Sequence, residues 1–221
     1  MAAAAEATTS RHERKRDLVR ATRALFDERG MQDAPIEEIA RSAGIARGLV
    51  YREFTSKDEL FVLTVTEYLD ELSGLLREAI AGAGDGDPVA QLESCSLAFA
   101  RFCERYPAFL DCALSLMRRR AGALHDAVSE AVWLRLGQGM AACLDQVAVV
   151  LRRGGATGDF DLDDPDYVAN VLWTQALGTM HLARIGVGVR QAAPGIPALF
   201  PVTGDQVVAT CVANAMATVR A

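Results

Sequence analysis

Pro35-Ile36-Glu37-Glu38-Ile39-Ala40-Arg41-Ser42-Ala43-Gly44-Ile45-Ala46-Arg47-Gly48-Leu49-Val50-Tyr51-Arg52-Glu53-Phe54 is the stretch whose reading decides the fold. Ile36, Ile39, Ala40 and Ala43 recur at helical spacing, so one face of a short helix is apolar. Gly44 supplies the left-handed residue that ends it. Ile45, Val50 and Phe54 then give a second short helix its own apolar face. Two such faces close on each other at a steep angle, which predicts a helix-turn-helix. The second helix leaves Arg47, Gly48, Leu49, Tyr51 and Arg52 facing outward, and cations with a phenol suit phosphates and base edges.

Thr55-Ser56-Lys57-Asp58-Glu59-Leu60 follows at once. Ser56 and Glu59 have capping-box spacing, so a further helix is expected from Lys57 to about Ile80. Upstream, Ser10 and Glu13 suggest another cap, opening a helix to about Arg29 with Leu18, Ala21, Thr22, Leu25 and Phe26 inside. Arg11, Arg14, Lys15 and Arg16 cluster at its start as candidate phosphate contacts. Residues 1–9 are expected to form a disordered arm.

These residues closely resemble the tetracycline-repressor (TetR) family of bacterial transcription regulators. The resemblance is carried by Ile39-Ala40, Ala43-Gly44-Ile45, Gly48-Leu49-Val50-Tyr51 and Phe54-Thr55-Ser56-Lys57-Asp58-Glu59-Leu60, within about residues 11–62. It implies a three-helix reading head, residues 10–56, and a helical ligand-binding and dimerisation body, residues 57–221. It also implies that Arg47, Gly48 and Leu49 meet base edges, and that Tyr51 and Lys57 meet phosphates. Arg52 completes the candidate DNA-binding set. The chain departs from the family pattern at Ala34-Pro35 and Ala46, where hydroxyl residues are usual at helix starts, and at Glu53, a carboxylate expected to point aside or pair with Arg52.

Composition agrees with helices. Of 221 residues, 51% are hydrophobic but only 6% aromatic, and Ala, Leu and Val favour helix over sheet. Net charge is -6, which speaks against a uniformly basic nucleic-acid binder, yet the charge is uneven. Residues 11–57 carry a net +3 and the remainder -9, so a basic head sits on an acidic chain. Cys95, Cys103, Cys112, Cys143 and Cys211 are scattered through apolar helical stretches without a C-x-x-C pair, and are expected to be reduced and buried. No metal or cofactor is expected, because His12, His125 and His181 stand apart from one another and from the cysteines. No leader is visible and no unbroken run approaches the length of a transmembrane helix, so a cytoplasmic protein without membrane association is expected.

Further helices are expected over 88–105, 107–120, 124–153 and 165–187, with a terminal helix carrying Val207 to Val219. The whole is an all-α fold of about nine helices. Pro88 and Pro165 mark helix starts after Gly82–Asp87 and Asp164. Asp159 to Asp163 fails a calcium-loop template, with Asp164 at the position that needs glycine. Val189–Thr203 is expected as a Pro/Gly-rich connection. The last two helices are apolar over so much of their surface that a partner face is expected, and the family resemblance implies a homodimer there.

Function follows as an expectation: a dimeric repressor on a palindromic operator of double-stranded DNA, released by a small, largely hydrophobic effector. Candidate effector-lining residues are Phe99, Phe102, Cys103, Phe109, Leu116, Trp133, Leu136, Met140, Trp173, Leu177 and His181. A ligand-independent regulator or activator is the nearest alternative. A redox thiol sensor or helical enzyme is the alternative of another class, but no acid–base pair, metal spacing or nucleophile elbow supports catalysis.

Overall fold

The computed structural model describes residues 2–29, 35–84, 86–119 and 121–220, with side chains from residue 13 onward except that of residue 121. The side chains of Ser10 and Arg11, and residues Gly30, Ala34 and Arg120, lie outside it. Ten helices and one hairpin run in the order α1 (Ala2–Arg29), α2 (Ile36–Ser42), α3 (Arg47–Glu53), α4 (Lys57–Gly82), α5 (Pro88–Arg105), α6 (Pro107–Arg118), α7 (Ala121–Ala127), α8 (Glu130–Thr157), α9 (Pro165–Ile185), β1 (Val187–Ala193), β2 (Ile196–Pro201) and α10 (Gly204–Val219).

Residues group into two compact units, 1–69 with 111–139 and 70–110 with 140–221, so α4, α6 and α8 each contribute to both. In the first, Leu18, Leu25 and Phe26 of α1 are buried together with Ile36, Ile39 and Ala40 of α2, Val50 of α3, and Leu60, Phe61 and Val65 of α4. The Phe26 and Phe61 ring centroids are 6.5 Å apart. Tyr68, fully buried, donates its hydroxyl to Asp27 Oδ1 at 2.6 Å and carries the Arg23 guanidinium over its ring at 4.2 Å. Burial, then that hydrogen bond, raise the Tyr68 pKa, so the phenol stays protonated.

In the second unit, α10 packs against both α5 and α9. Leu92, Cys95, Phe102, Phe109, Leu151, Leu177 and Val219 are buried there. The Asp164 cap read from the sequence is present, and Asp87 caps α5 in the same way. Asp87 accepts from the Ala90 amide and Asp164 from the Tyr167 amide, each ahead of a first-turn proline.

Four expectations change. The first helix begins at Ala2 rather than at Ser10, so residues 2–9 are helical and not a disordered arm; Ala2–Ala5 are the strongest helix formers available. The helix expected from Leu124 is two: α7 ends at Ala127 and α8 starts at Glu130, with the Ser129 carbonyl accepting from the Val132 and Trp133 amides. Gly154-Gly155 does not break α8, which runs on to Thr157 and is stopped by Gly158, where φ is +79°. Much of the expected connection 189–203 is an antiparallel hairpin pairing Val189 with Leu199 and Gln191 with Pro197. Pro194-Gly195 turns it, with Gly195 at φ +77°, the residue pair a type II turn uses.

Among the described residues α8 is also long and apolar enough, by length and composition, to cross a bilayer, though no unbroken apolar run predicts it. Core helices pass the same measure, and Leu136, Cys143, Val150 and Leu151 of α8 are buried within the protein.

The two glycines at the end of α8 make a sharp test. A Cβ on Gly154 would lie 2.0 Å from the Phe160 ring, whereas one on Gly155 meets nothing within 4 Å. Gly154→Ala is expected to destabilise by about 1–3 kcal/mol through overpacking. Gly155→Ala is expected to stabilise by about 0.5–1 kcal/mol through helix propensity. Urea unfolding of the two variants checks the opposite signs.

Candidate functional site

The turn between α2 and α3 forms as its sequence dictates. The Gly44 amide donates to the Arg41 carbonyl at 3.1 Å and the Ile45 amide to the Ala40 carbonyl at 2.9 Å. With Gly44 at φ +68° this is a Schellman ending. Neither α2, capped by Pro35, nor α3, capped by Ala46, has a side-chain cap.

Val50 and Phe54 are buried behind α3. In front, Arg47, Gly48, Tyr51 and Arg52 are exposed, Leu49 is half-buried, and Lys57 is exposed at the first residue of α4. All six sequence-derived positions thus lie on two consecutive helices. Arg47 Nη1 sits 2.6 Å from Glu37 Oε1, and its guanidinium is 5.7 Å from the Tyr51 ring centroid. A hydrogen bond with Tyr51, then the Glu37 carboxylate, raise the Arg47 pKa. The sequence offered no sign of Glu37 as a partner.

Glu53 does point aside. It is buried and pairs with Arg14 of α1 at 3.5 Å. Glu59 is buried too: its carboxylate accepts from the Thr55 amide at 2.7 Å and from the Thr55 hydroxyl, and lies 3.8 Å from Lys15 Nζ. Ser56 accepts from the Glu59 amide at 3.0 Å, which is the expected cap, but Glu59 reaches back to Thr55 rather than to Ser56. Arg14 and Lys15, expected at phosphates, are therefore engaged with carboxylates within the head. Arg119, just past the end of α6, pairs with Asp58 and covers the Phe61 ring at 5.5 Å.

An apolar cavity of about 50 Å³ lies within the second unit. Of the effector-lining candidates, Phe99 and Trp173 line it, with ring centroids 5.1 Å apart and edge to face. Phe102, Cys103, Phe109 and Leu177 fill the core instead. Met140 is half-buried and His181 exposed, neither on the cavity. Leu116, Trp133 and Leu136 belong to the first unit, where Trp133 packs edge to face on His125 at 5.5 Å.

The candidates sequence reasoning missed are Cys95, Cys143 and Cys211, together with Ser96, Gln175, Thr179 and Asn214, all on the cavity wall. No Asp, Glu, Lys, Arg or His lines it among the described residues. Burial pushes the Cys95 and Cys143 thiols up to about 12 and the Cys211 thiol up to about 11, so the wall stays uncharged. Among the described residues no group of His, Cys, Asp or Glu has metal-site geometry.

Residues 18–63 match the family model for bacterial regulatory proteins of the tetR family. This segment is a tetR-family regulatory domain. Over 81 residues the chain is 40% identical to the HTH-type transcriptional regulator BetI of Stenotrophomonas maltophilia (strain R551-3), covering 37% of this chain and 41% of that protein. Over 81 residues it is 33% identical to the HTH-type transcriptional repressor KstR2 of Rhodococcus jostii (strain RHA1), covering 37% and 40%. The alignments thus span about two fifths of these curated relatives, and lie on transcriptional regulators.

Fold similarity extends further. RolR, solved in complex with resorcinol, superposes with a TM-score of 0.67 at 18% identity, covering 96% of this chain and 90% of RolR. The ketosteroid transcriptional regulator KstR2 of Mycobacterium tuberculosis gives 0.61 at 22% identity, covering 94% and 95%. The TetR-like all-α fold therefore covers nearly the whole chain.

The thiols give a pH prediction. Folded thiols stay protonated where unfolded ones ionise near pH 8.5–9. A raised folded pKa on an acid means stability is full below that range and falls as pH climbs from it towards the folded values of about 11–12. Ellman titration at pH 7.5 is expected to find the described cysteines unreactive in the native chain and five thiols after denaturation. Rapid native reaction of Cys103 or Cys112 would instead support a redox sensor.

Proposed function

We propose that this chain is a DNA-binding transcriptional regulator of the TetR kind: a twofold dimer that represses from a palindromic operator and is released by a small effector. The observation that carries the reading is α3 itself. Its back is buried and its front presents Arg47, Gly48, Tyr51 and Arg52 on one short, rigid element. Arg47 would read a guanine through paired donors, Leu49 a thymine methyl, and Tyr51 and Lys57 phosphates.

Gly48 supports the same reading. A Cβ there meets nothing within 4 Å, so the fold does not require glycine. A mid-helix glycine costs about 1 kcal/mol against alanine, and it suits a place where a duplex approaches the backbone.

Residues 10–56 form the reading head of this proposal and 57–221 the sensing and dimerising body. Two heads about a twofold axis read two half-sites and so multiply specificity. Exposed Tyr167, Leu182 and Ile185 on α9 supply a face for the second copy. The effector would be uncharged and largely apolar, because the cavity wall carries no charge and offers amides and hydroxyls at Gln175, Asn214, Ser96 and Thr179.

At about 50 Å³ the cavity is far below the 300–1,000 Å³ of an ordinary ligand site. An effector therefore enters by parting the helices around it. Leu76 on that wall and Lys57 at the head lie on the one helix α4, so a shift of α4 is the route to the reading helix. The site of action is the cytoplasm, with the DNA.

The test is fluorescence anisotropy on duplex flanking the gene for this chain. Arg47→Ala and Tyr51→Ala are each expected to weaken binding about tenfold or more, a loss of about 1–3 kcal/mol. Lys57→Ala is expected to weaken all sequences alike and to lower the salt slope by about 1. Binding indifferent to all three substitutions would remove α3 as the reader.

A further inference from the structure

The β1–β2 hairpin exposes apolar surface that its own chain leaves uncovered. Val189 and Leu199, a direct cross-strand pair, are 69% and 68% exposed, and Ile196 is 59% exposed. Val187 and Phe200 are exposed as well, and Leu182 and Ile185 continue the patch on the last turn of α9. At roughly 150–200 Å² for a fully exposed large apolar side chain, these seven leave about 600 Å² uncovered. Val187, Val189 and Leu199 lie on one face of the hairpin and Ile196 and Phe200 on the other, so apolar surface flanks the strands on both sides, and the total approaches the ~800 Å² that each partner of a stable dimer buries. A two-stranded hairpin is also marginal by itself in water, so the cover must be a lasting one.

The backbone says what kind of cover. The Val202 amide donates to the Gly186 carbonyl at 3.0 Å, which sets the hydrogen-bonding parity of the ladder. Bonded pairs are then Gly188 with Phe200 and Arg190 with Ala198. Val187, Val189 and Gln191 on β1, and Pro197, Leu199 and Pro201 on β2, turn their backbone groups outward. On β2 two of these three positions are prolines with no amide proton, so that edge is blunted. On β1 all three outward amides and carbonyls are present, and no proline interrupts Val187–Ala193.

An open edge of this kind recognises another β-strand. A twofold axis brings the same strand of a second copy against it, antiparallel, and makes the contact self-complementary. We propose that the hairpin is a dimerisation arm, in which β1 of one copy pairs with β1 of a second copy about a twofold axis at Val189. The two hairpins then form one four-stranded sheet, continuous with the exposed ends of α9. This inference rests on the twofold assembly proposed above and is independent of whether α3 reads DNA.

Two pairs of variants of the full chain test it. Val189→Pro removes an outward amide without touching the bonded pairs of its own hairpin, and Leu199→Pro makes the same change on the blunted edge. Sedimentation velocity is expected to show the dimer dissociation constant raised at least tenfold by V189P and less than twofold by L199P. Val189→Cys is expected to yield a disulfide-linked dimer under mild oxidation, since a central bonded pair has Cα atoms about 5.5 Å apart. Leu199→Cys is expected to yield none, because the outer strands stand about 14 Å apart, three inter-strand spacings.

A wild-type chain that stays monomeric would overturn both the arm and the twofold assembly. A dimer indifferent to V189P, with no V189C cross-link, would overturn the arm and leave the assembly standing. Cross-linking through L199C instead of V189C would likewise overturn it. Anisotropy on a single half-site duplex, run with V189P, reports on DNA reading separately, so a failed head is not mistaken for a failed arm.

Discussion

One left-handed residue sets the geometry on which the reading head depends. Gly44 at φ +68° lets the chain leave α2 and enter α3 within four residues, while the Ala40 and Arg41 carbonyls are satisfied by the amides that follow. Because α2 and α3 are each seven residues long, neither is stable by itself. Their angle is held by Ile39, Ala40, Val50 and Phe54, all buried in the same core as α1 and α4. The turn, the burial and the outward display of Arg47 to Arg52 form one constraint seen at three scales.

Charge in the head is organised with equal economy. The sequence shows a basic excess near α1, and the structure shows that part of it faces inward. Arg14 meets Glu53 and Lys15 meets Glu59, both carboxylates being buried beside Phe54 and Leu60. Buried carboxylates without cations would be costly, so these pairs are conditions of the fold more than additions to its stability. Arg47, Arg52 and Lys57 of α3 and the start of α4 stay exposed, as do Arg16 and Arg20 of α1 and Arg41 of α2.

The head was legible in the sequence because its signals are local. Helical spacing from Ile36 to Ala43, a glycine at the turn, and Ser56 with Glu59 each act over a few residues and predict the same elements. The cavity was less legible for a physical reason. An apolar residue on a buried helix face fills space or borders it depending on neighbours from other helices, and periodicity carries no such information. Phe99 and Trp173 were reached, while the three cysteine walls and the amides of Gln175 and Asn214 were not. The hairpin was missed because Pro194-Gly195 was read as irregular chain, although that pair between β-branched and aromatic residues is itself a turn signal.

The proposed reading surface and the core share almost no side chains. Arg47, Gly48, Tyr51 and Arg52 point away from the residues that hold α3 in place, and the space above Gly48 is open. Changes at these positions therefore cost the fold little, and sequence preference and stability can vary as separate traits. If α3 is the reader, as proposed, a few surface substitutions there would redirect the protein to a new site without disturbing its core, and a redesign would begin at those positions.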